Sequence, residues 1–478
     1  MYRTDTFTPS SFTSEGNICL RGKNIPYNTV SEDNVIYDND GKAIASIFSY
    51  SYFRSDAENL EKRPVLFCFN GGPGSSSMMV HSGFLGTYRV KYPENPDEEN
   101  ALPPYEIIEN PQCMLDAADI VVIDPMGTGY GALLDEEHKK DFFGIEQDAE
   151  ALLYFIEKWL SKYNRWQSPK YIVGESYGCT RAATAVGLAQ GYGEERSYSV
   201  SFDGVILIGN TVSVGDYFNE NVPVEPSVLG FPTFAAVNWY HHHPSAQTIE
   251  EFVKEAKAFA DSEYLLALYK GDAISEDEKE AVIKKVIYYT GVSREYLLKN
   301  DLRIDEITVR TQFLRDEERQ VSRYDGRITR PFYKPYVREE GKWRSDDATD
   351  GKYGPIFHSA VCGTIFPKLN IHMDRTFVPA RILWDNWDNK AKHGNTGELL
   401  SSAMLKTPGM RTFFANGWYD ICTQIGIAYY TIDHAGLPKD RTFIKGYESG
   451  HMIYLGEDNV KELTDDILKF ISGQDPTK

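Results

Sequence analysis

The residues best suited to chemistry are Gly174-Glu175-Ser176-Tyr177-Gly178, a Gly-x-Ser-x-Gly pattern between the apolar run Tyr171-Ile172-Val173 and the small-residue run 180–189. A strand before and a helix after is the context in which this pattern forms a nucleophile elbow. The serine takes strained backbone angles, and the flanking glycines let the helix pass close to the strand. Such a turn lifts the Ser176 hydroxyl above the sheet. It also places backbone N–H groups at a helix N-terminus, where the dipole favours the negative charge of acyl transfer. The partners of this serine must follow in the order Ser, acid, His. Asp420 ends the run RTFFANGWYD, and His451 sits in the Gly-His turn of RTFIKGYESGHM. Acid and base therefore each follow a strand, at the edge of the sheet that carries the serine. Glu448 and Asp433 are the fallback acids, and His81, His358, His372 and His434 read as solvated or core-bonded side chains. A second glycine-rich run, Asn70-Gly71-Gly72-Pro73-Gly74, closes the strand LFCFN and brings backbone N–H groups close to a ligand. With the N–H of Tyr177 it predicts an oxyanion hole. His241, His242 and His243 are adjacent, so their side chains diverge, and no HExxH accompanies them. Neither a metal nor a cofactor is expected.

The elements that must position these groups alternate. NVIYD and KAIASIFSYSYF predict a hairpin turning at DNDGK, and RPVLFCFN and DIVVID predict buried strands. FFGIEQDAEALLYFIEKWLSKY has helical periodicity and leads into the YIV strand, after which GVILIGN adds another. This order predicts an α/β fold with a mostly parallel central sheet flanked by helices. From about Thr211 to about Asp350 the chain turns helical, charged and aromatic, with amphipathic helices in EEFVKEAKAFADSEYLLALYKG and SEDEKEAVIKKVIYYTGV. The expected organisation is a core in two parts, 1–210 and 351–478, interrupted by a mainly helical cap at 211–350. RTFFANG, RTFIKGY and the helix VKELTDDILKFISG complete the second part.

Composition narrows the function. Fifty Lys and Arg against seventy Asp and Glu give the 478-residue chain a formal charge of −20, which repels phosphate backbones and anionic lipid. Neither a nucleic acid nor a membrane surface is expected as a partner. No window is apolar enough to span a bilayer, and MYRTDTFTPSSFTSEGN lacks the basic and apolar regions of a secretory signal. The expectation is a cytoplasmic protein, although a leader already removed would leave the same sequence. The six cysteines (Cys19, Cys68, Cys113, Cys179, Cys362, Cys422) form no CxxC pair and read as buried free thiols.

In four motifs the chain resembles the serine carboxypeptidases, within the α/β-hydrolase superfamily. NGGPGSSS is similar to their NGGPGCSS, IDPMGTGY to D-x-P-x-GTGF, GESYG to GESYAG, and ESGHM to GAGHM. The resemblance implies Ser176 as nucleophile, His451 as general base and Asp420 as its orienter, with Gly72 and Tyr177 giving the oxyanion N–H groups. It also implies that Asn70, Gly71 and Glu175 bind a substrate's terminal carboxylate, although Glu175 reads equally well as an ordinary elbow residue. The chain departs from the family at Cys68, where a tryptophan is usual, and at Ser75, where a disulfide-bonded cysteine is usual. At Phe84 it lacks the second glutamate of that family's carboxylate site. An arginine is the alternative fork for a carboxylate. Arg181 behind the elbow, and Arg323 and Arg327 in SRYDGR, are the candidates, each also readable as a scaffold ion pair.

The implied activity is release of C-terminal residues from peptides through an acyl-enzyme on Ser176. The alternative is an esterase, amidase or acyltransferase using the same triad on a small acyl substrate. A lone ionised Glu175 would favour acid pH. An arginine that neutralises it would keep activity high near neutrality, and this second profile is the one expected.

Overall fold

The computed structural model describes residues 7–98, 102–192, 198–215, 225–331, 347–349, 351–381, 387–389 and 393–478. The first six residues, parts of the expected cap and its Asp350 boundary lie outside them. A ten-stranded mixed sheet forms the frame. Its labelled strands are β1 (Ser11–Leu20), β2 (Lys23–Tyr37), β3 (Ala43–Arg54), β4 (Val65–Phe69), β5 (Asp119–Asp124), β6 (Lys170–Glu175), β7 (Gly204–Ile208), β8 (Arg411–Gly417) and β9 (Thr442–Tyr447). They lie in the order β1-β2-β3-β5-β4-β6-β7-β8-β9, with the short pair Ala132–Leu133 on the side of β3. β1, β2 and β3 are antiparallel, and β3 joins β5 antiparallel. From β5 to β9 every pairing is parallel.

The expected hairpin is β2–β3, and every predicted core strand is present. β1 has no counterpart among the predicted strands: its burial alternates between exposed and half-buried for most of its length, so it shows no apolar run. The central strands, by contrast, are covered on both faces, which is why they read as continuous apolar stretches. Side chains alternate across them. Leu66, Val122, Val173, Ile206 and Phe413 enter one hydrophobic cluster, and Phe67, Val121, Ile172, Leu207 and Phe414 enter the other.

Helices α1 (Ile145–Lys162) and α2 (Tyr177–Gly187) cover the second face through residues such as Leu153, Trp159, Ala182 and Val186. The C-terminal helix α8 (Glu457–Ile471) covers the first with Val460, Leu463, Ile467 and Phe470. Between β7 and β8 lie the insertion helices α3 (Pro226–His242), α4 (Ile249–Phe259) and α5 (Glu276–Thr290), then α6 (Thr396–Lys406). α7 (Ile425–His434) connects β8 to β9. Capping boxes at Thr248 and Ser275 start α4 and α5. The insertion helices share a cluster of their own around Phe231, Phe252, Phe259, Tyr264 and Val286. No described helix is long and apolar enough to cross a membrane.

None of the six cysteines is disulfide-bonded, but the expectation that all are buried needs correction. Cys19 and Cys362 are exposed, and Cys422 is half-buried. Cys362 turns outward directly after buried Val361, and Cys19 alternates with Ile18 and Leu20 on β1.

Candidate active site

β6 runs into α2 through a single residue, Ser176, whose φ of 59° and ψ of −128° lie where a non-glycine residue is strained. Two things hold that turn. The Ser176 N–H donates to the Ile208 carbonyl at 2.9 Å, and the Thr211 hydroxyl donates to the Ser176 carbonyl at 2.8 Å. A Cβ on Gly174 would lie 2.2 Å from the Gly178 carbonyl oxygen, so the helix can double back over the strand only with glycine there. Tyr177 opens α2, and its N–H lies at the positive end of the helix.

The neighbouring loop, Asn70 to Gly74, presses against this helix start. A Cβ on Gly71 would stand 2.4 Å from the Tyr177 nitrogen and 2.7 Å from the Glu175 carbonyl oxygen. Gly72, at a φ of +112°, follows in the left-handed region. The two predicted oxyanion donors therefore come from two loops packed together at one sheet edge.

The acid and base meet as expected. His451 Nδ1 and Asp420 Oδ2 are 2.8 Å apart, with Asp420 wholly buried and His451 nearly so. Asp420 also accepts from the Thr423 N–H at 2.9 Å and from the Thr423 hydroxyl. These donors fix the carboxylate plane. Burial works against an imidazolium at His451, but the charge and hydrogen bond of Asp420, with Glu175 adding, raise its pKa above the usual histidine value. The ring packs over the end of β7, where its Nδ1 would lie 3.1 Å from a Cβ on Gly209. β7 is the strand next to the elbow strand. The Ser176 hydroxyl makes no hydrogen bond among the described residues; such bonds often tighten only when substrate arrives. Glu448 contributes a carbonyl, not a carboxylate, to this region, accepting from Arg327.

Sequence reasoning missed three contributors. Thr423 is one, three residues after the acid. The second is Tyr324, with Gly326, in the insertion segment 322–327, from which the sequence singles out only Arg323 and Arg327. The Tyr324 carbonyl accepts the His451 N–H at 2.6 Å, the Tyr324 ring lies 5.5 Å from the imidazole, and the Gly326 N–H donates to the Tyr419 carbonyl at 2.9 Å. The third is Tyr454, beside Glu175. Only Thr423 leaves a local signal, Asp-x-x-Thr after a strand; the other two depend on long-range packing.

Glu175 points away from an ordinary elbow role. It is 3 % exposed, and its Oε1 accepts from Asn70 Nδ2 at 2.5 Å. Asn70 is itself fixed, its Oδ1 accepting from the Val80 N–H at 3.0 Å. Burial pushes the Glu175 pKa up to about 7, although His451, Tyr454 and Asn70 pull the other way. Among the described residues no arginine neutralises it, so the expectation of an arginine carboxylate fork at Arg181 needs correction. Arg181 is 2 % exposed and ion-paired with Asp148 at 2.6 Å; its Nη1 donates to the Asn70 carbonyl at 2.7 Å, and it is stacked between Phe69 and Tyr177. It braces the glycine loop from behind and does not face a substrate. Arg327 is likewise locked to Asp325 at 2.7 Å. Arg323 is more open, with Nη2 donating to Cys422 Sγ at 3.2 Å and Nε 3.4 Å from Glu306. The pH profile expected from an Arg181 contact loses its basis.

The histidine triplet diverges. His241 Nε2 bonds the Gly326 carbonyl, His242 Nδ1 bonds Asn238, and His243 stacks edge-on against Trp239. Among the described residues the one tight group of potential metal ligands is Asp420, Cys422 and His451, which is the acid–base pair with a thiol beside it.

Comparison with known proteins agrees with this layout. A family model described as serine carboxypeptidase matches residues 38–326. Serine carboxypeptidase-like 20 of Arabidopsis thaliana is 33 % identical over 129 residues, 26 % of this chain and 24 % of that protein. Serine carboxypeptidase-like 5 of the same plant is 28 % identical over 170 residues, 34 % of this chain and 36 % of that protein. The pheromone-processing carboxypeptidase KEX1 of Phaeosphaeria nodorum is 27 % identical over 140 residues, covering 29 % of this chain and 19 % of that protein. The matches thus span about a third or less of these relatives. Among solved structures, the prohormone-processing carboxypeptidase KEX1(delta)P from Saccharomyces cerevisiae superposes with a TM-score of 0.53 at 15 % identity, covering 94 % of this chain and 91 % of that one, which establishes the shared α/β-hydrolase fold. With the family model matching well over half of its length, the chain belongs to the serine carboxypeptidase family.

Proposed function

We propose that this protein is a serine carboxypeptidase-like hydrolase that releases C-terminal residues from peptides. The observation that carries the reading is Glu175. A buried carboxyl, held by Asn70 and able to keep its proton up to about pH 7, stands next to the nucleophile in sequence. A neutral acid and an amide side by side suit a substrate's terminal carboxylate, which an ionised Glu175 would repel.

In this reading Ser176 Oγ attacks the carbonyl before the C-terminal residue while His451 Nε2 takes its proton. Asp420 holds the imidazole through Nδ1 and stabilises its positive charge. The N–H groups of Gly72 and Tyr177 receive the oxyanion. Collapse of the intermediate passes the proton to the departing amine and leaves the acyl group on Ser176. Water, deprotonated by the same histidine, then frees the shortened peptide. The names of the plant and fungal relatives support the same activity.

The alternative, an esterase, amidase or acyltransferase, uses the same triad without need of a terminal carboxylate. One substrate series separates the two: a peptide ending in a free carboxylate, the same peptide as an amide, and the same as a methyl ester, with products read by mass spectrometry. Preference for the free carboxylate, with shortening from the C-terminus, is the expected result. Equal or better turnover of the blocked forms would favour the alternative. No nucleic acid, membrane surface or cofactor enters this scheme, and a cytoplasmic location is part of the proposal.

A further inference from the structure

Glu175 has one oxygen engaged and one not. Oε1 accepts from Asn70, whereas Oε2 is buried and has no hydrogen-bond partner among the described residues. The group beside it is the Tyr454 hydroxyl, also buried, which lies close enough to Glu175 and Asn70 for side-chain hydrogen bonding to shift its own titration and that of Glu175, although it completes no hydrogen bond of full geometry among the described residues. Two buried polar atoms side by side, each able to satisfy the other, are costly to leave apart.

The ring that carries this hydroxyl is held firmly. Tyr454 lies in the turn after His451 and is 1 % exposed. It stacks on Phe84 with centroids 5.6 Å apart and planes within 3°. Its edge fits into a notch at Gly83, where a Cβ would come within 2.6 Å of Tyr454 Cε2. Phe84 is itself fully buried. Gly83 and Phe84 thus form a seat that aims one phenol at one carboxyl.

We propose that Tyr454 is the positioning residue of Glu175, its hydroxyl fixing the orientation in which that carboxyl, held on its other side by Asn70, meets the terminal carboxylate of a substrate. This deepens the carboxypeptidase reading and rests on it for the substrate. A phenol can donate to an ionised Glu175 or accept from a protonated one, so Glu175 has a partner in both states. A second carboxyl group at the same place could not do this once both were ionised. The other groups facing Glu175 are His451, which favours its ionised form, Asp420, which opposes it, and the thiol of Cys179. Donation from Tyr454 favours the ionised form as well, so loss of the hydroxyl should hold the proton on Glu175 to higher pH.

Tyr454→Phe removes the hydroxyl and keeps the ring, its stack and its notch. Two readouts follow. Without substrate, the titration of Glu175, read as the pH dependence of unfolding stability and absent from a Glu175→Gln control, should move up by about one pH unit. With substrate, the profile of kcat/KM on a free-carboxylate peptide should show a lower plateau and an alkaline limb moved up by about one unit, while the amide-ended peptide, which makes no demand on the Glu175 proton, shows no such alkaline shift. Phe84→Leu, which loosens the seat and leaves the hydroxyl, should give a smaller shift of the same sign in the first readout. Labelling of Ser176 by a fluorophosphonate confirms that each variant is folded. A Glu175 titration unmoved in both variants would overturn the proposal. Wild-type protein that shows no preference for the free carboxylate would instead overturn the carboxypeptidase reading, and the substrate-free titration would still decide the role of Tyr454.

Discussion

Glu175→Gln should make the protein more stable at alkaline pH, and the size of the gain follows from burial. The carboxyl ionises near 4.5 in an unfolded chain and near 7 in the fold, because burial disfavours the charged form. Between those values the folded chain keeps a proton that the unfolded chain has released. The stability contributed by that proton is complete below about pH 4.5 and is lost as pH rises through about 7. At about 1.4 kcal/mol per unit of pKa difference, the loss by pH 8 is about 3 kcal/mol. The glutamine of the variant does not titrate, and its amide can still accept from Asn70 while donating toward Tyr454. Unfolding free energies from urea denaturation of both proteins at pH 4.5, 6, 7 and 8 should therefore diverge, with the variant gaining about 3 kcal/mol on the wild type across the series. In a His451→Gln background the divergence should be larger, since the imidazolium is a principal influence pulling the Glu175 pKa down. A difference that stays flat to within about 0.5 kcal/mol from pH 4.5 to 8 would show that Glu175 is not held as a neutral acid.

Ser176→Ala should abolish turnover and fluorophosphonate labelling without unfolding the protein, because no other described serine has the elbow geometry; persistent labelling would mean another nucleophile. Asp420→Asn should lower kcat by roughly 10⁴, the cost of a wrong imidazole tautomer, and a loss below tenfold would return Glu448 or Asp433 to consideration. Arg181→Met should cost about 3–5 kcal/mol in urea unfolding by leaving buried Asp148 without its cation, with most of that recovered on adding Asp148→Leu. If Arg181→Met instead weakens only the binding of free-carboxylate peptides, the scaffold role given to it here is wrong.

The legible parts of this molecule are those written in local pattern. The core strands announce themselves because a strand buried on both faces must be apolar throughout, and Ser176, Asp420 and His451 because each sits where a strand ends. β1 escapes notice because only its last residues are buried. Arg181 is misread for a related reason: an arginine at an elbow helix looks alike whether it faces solvent or stacks between Phe69 and Tyr177, and only the fold brings Asp148 to it. Tyr454 lies three residues from His451, yet its significance depends on Gly83 and Phe84, some 370 positions away in the chain. In the sequence Phe84 stands out as a missing carboxylate; in the fold it is the seat for a phenol.

The bond between the His451 amide and the Tyr324 carbonyl means that the insertion is not a detachable accessory. Its stretch 322–327 is stitched to both loops that carry the acid and the base, through Tyr324 to His451, Gly326 to Tyr419 and Arg327 to Glu448. An exchange of insertions between relatives would have to leave this stretch behind with the core. Conversely, a substitution that displaces this stretch would shift the backbone from which the His451 imidazole hangs.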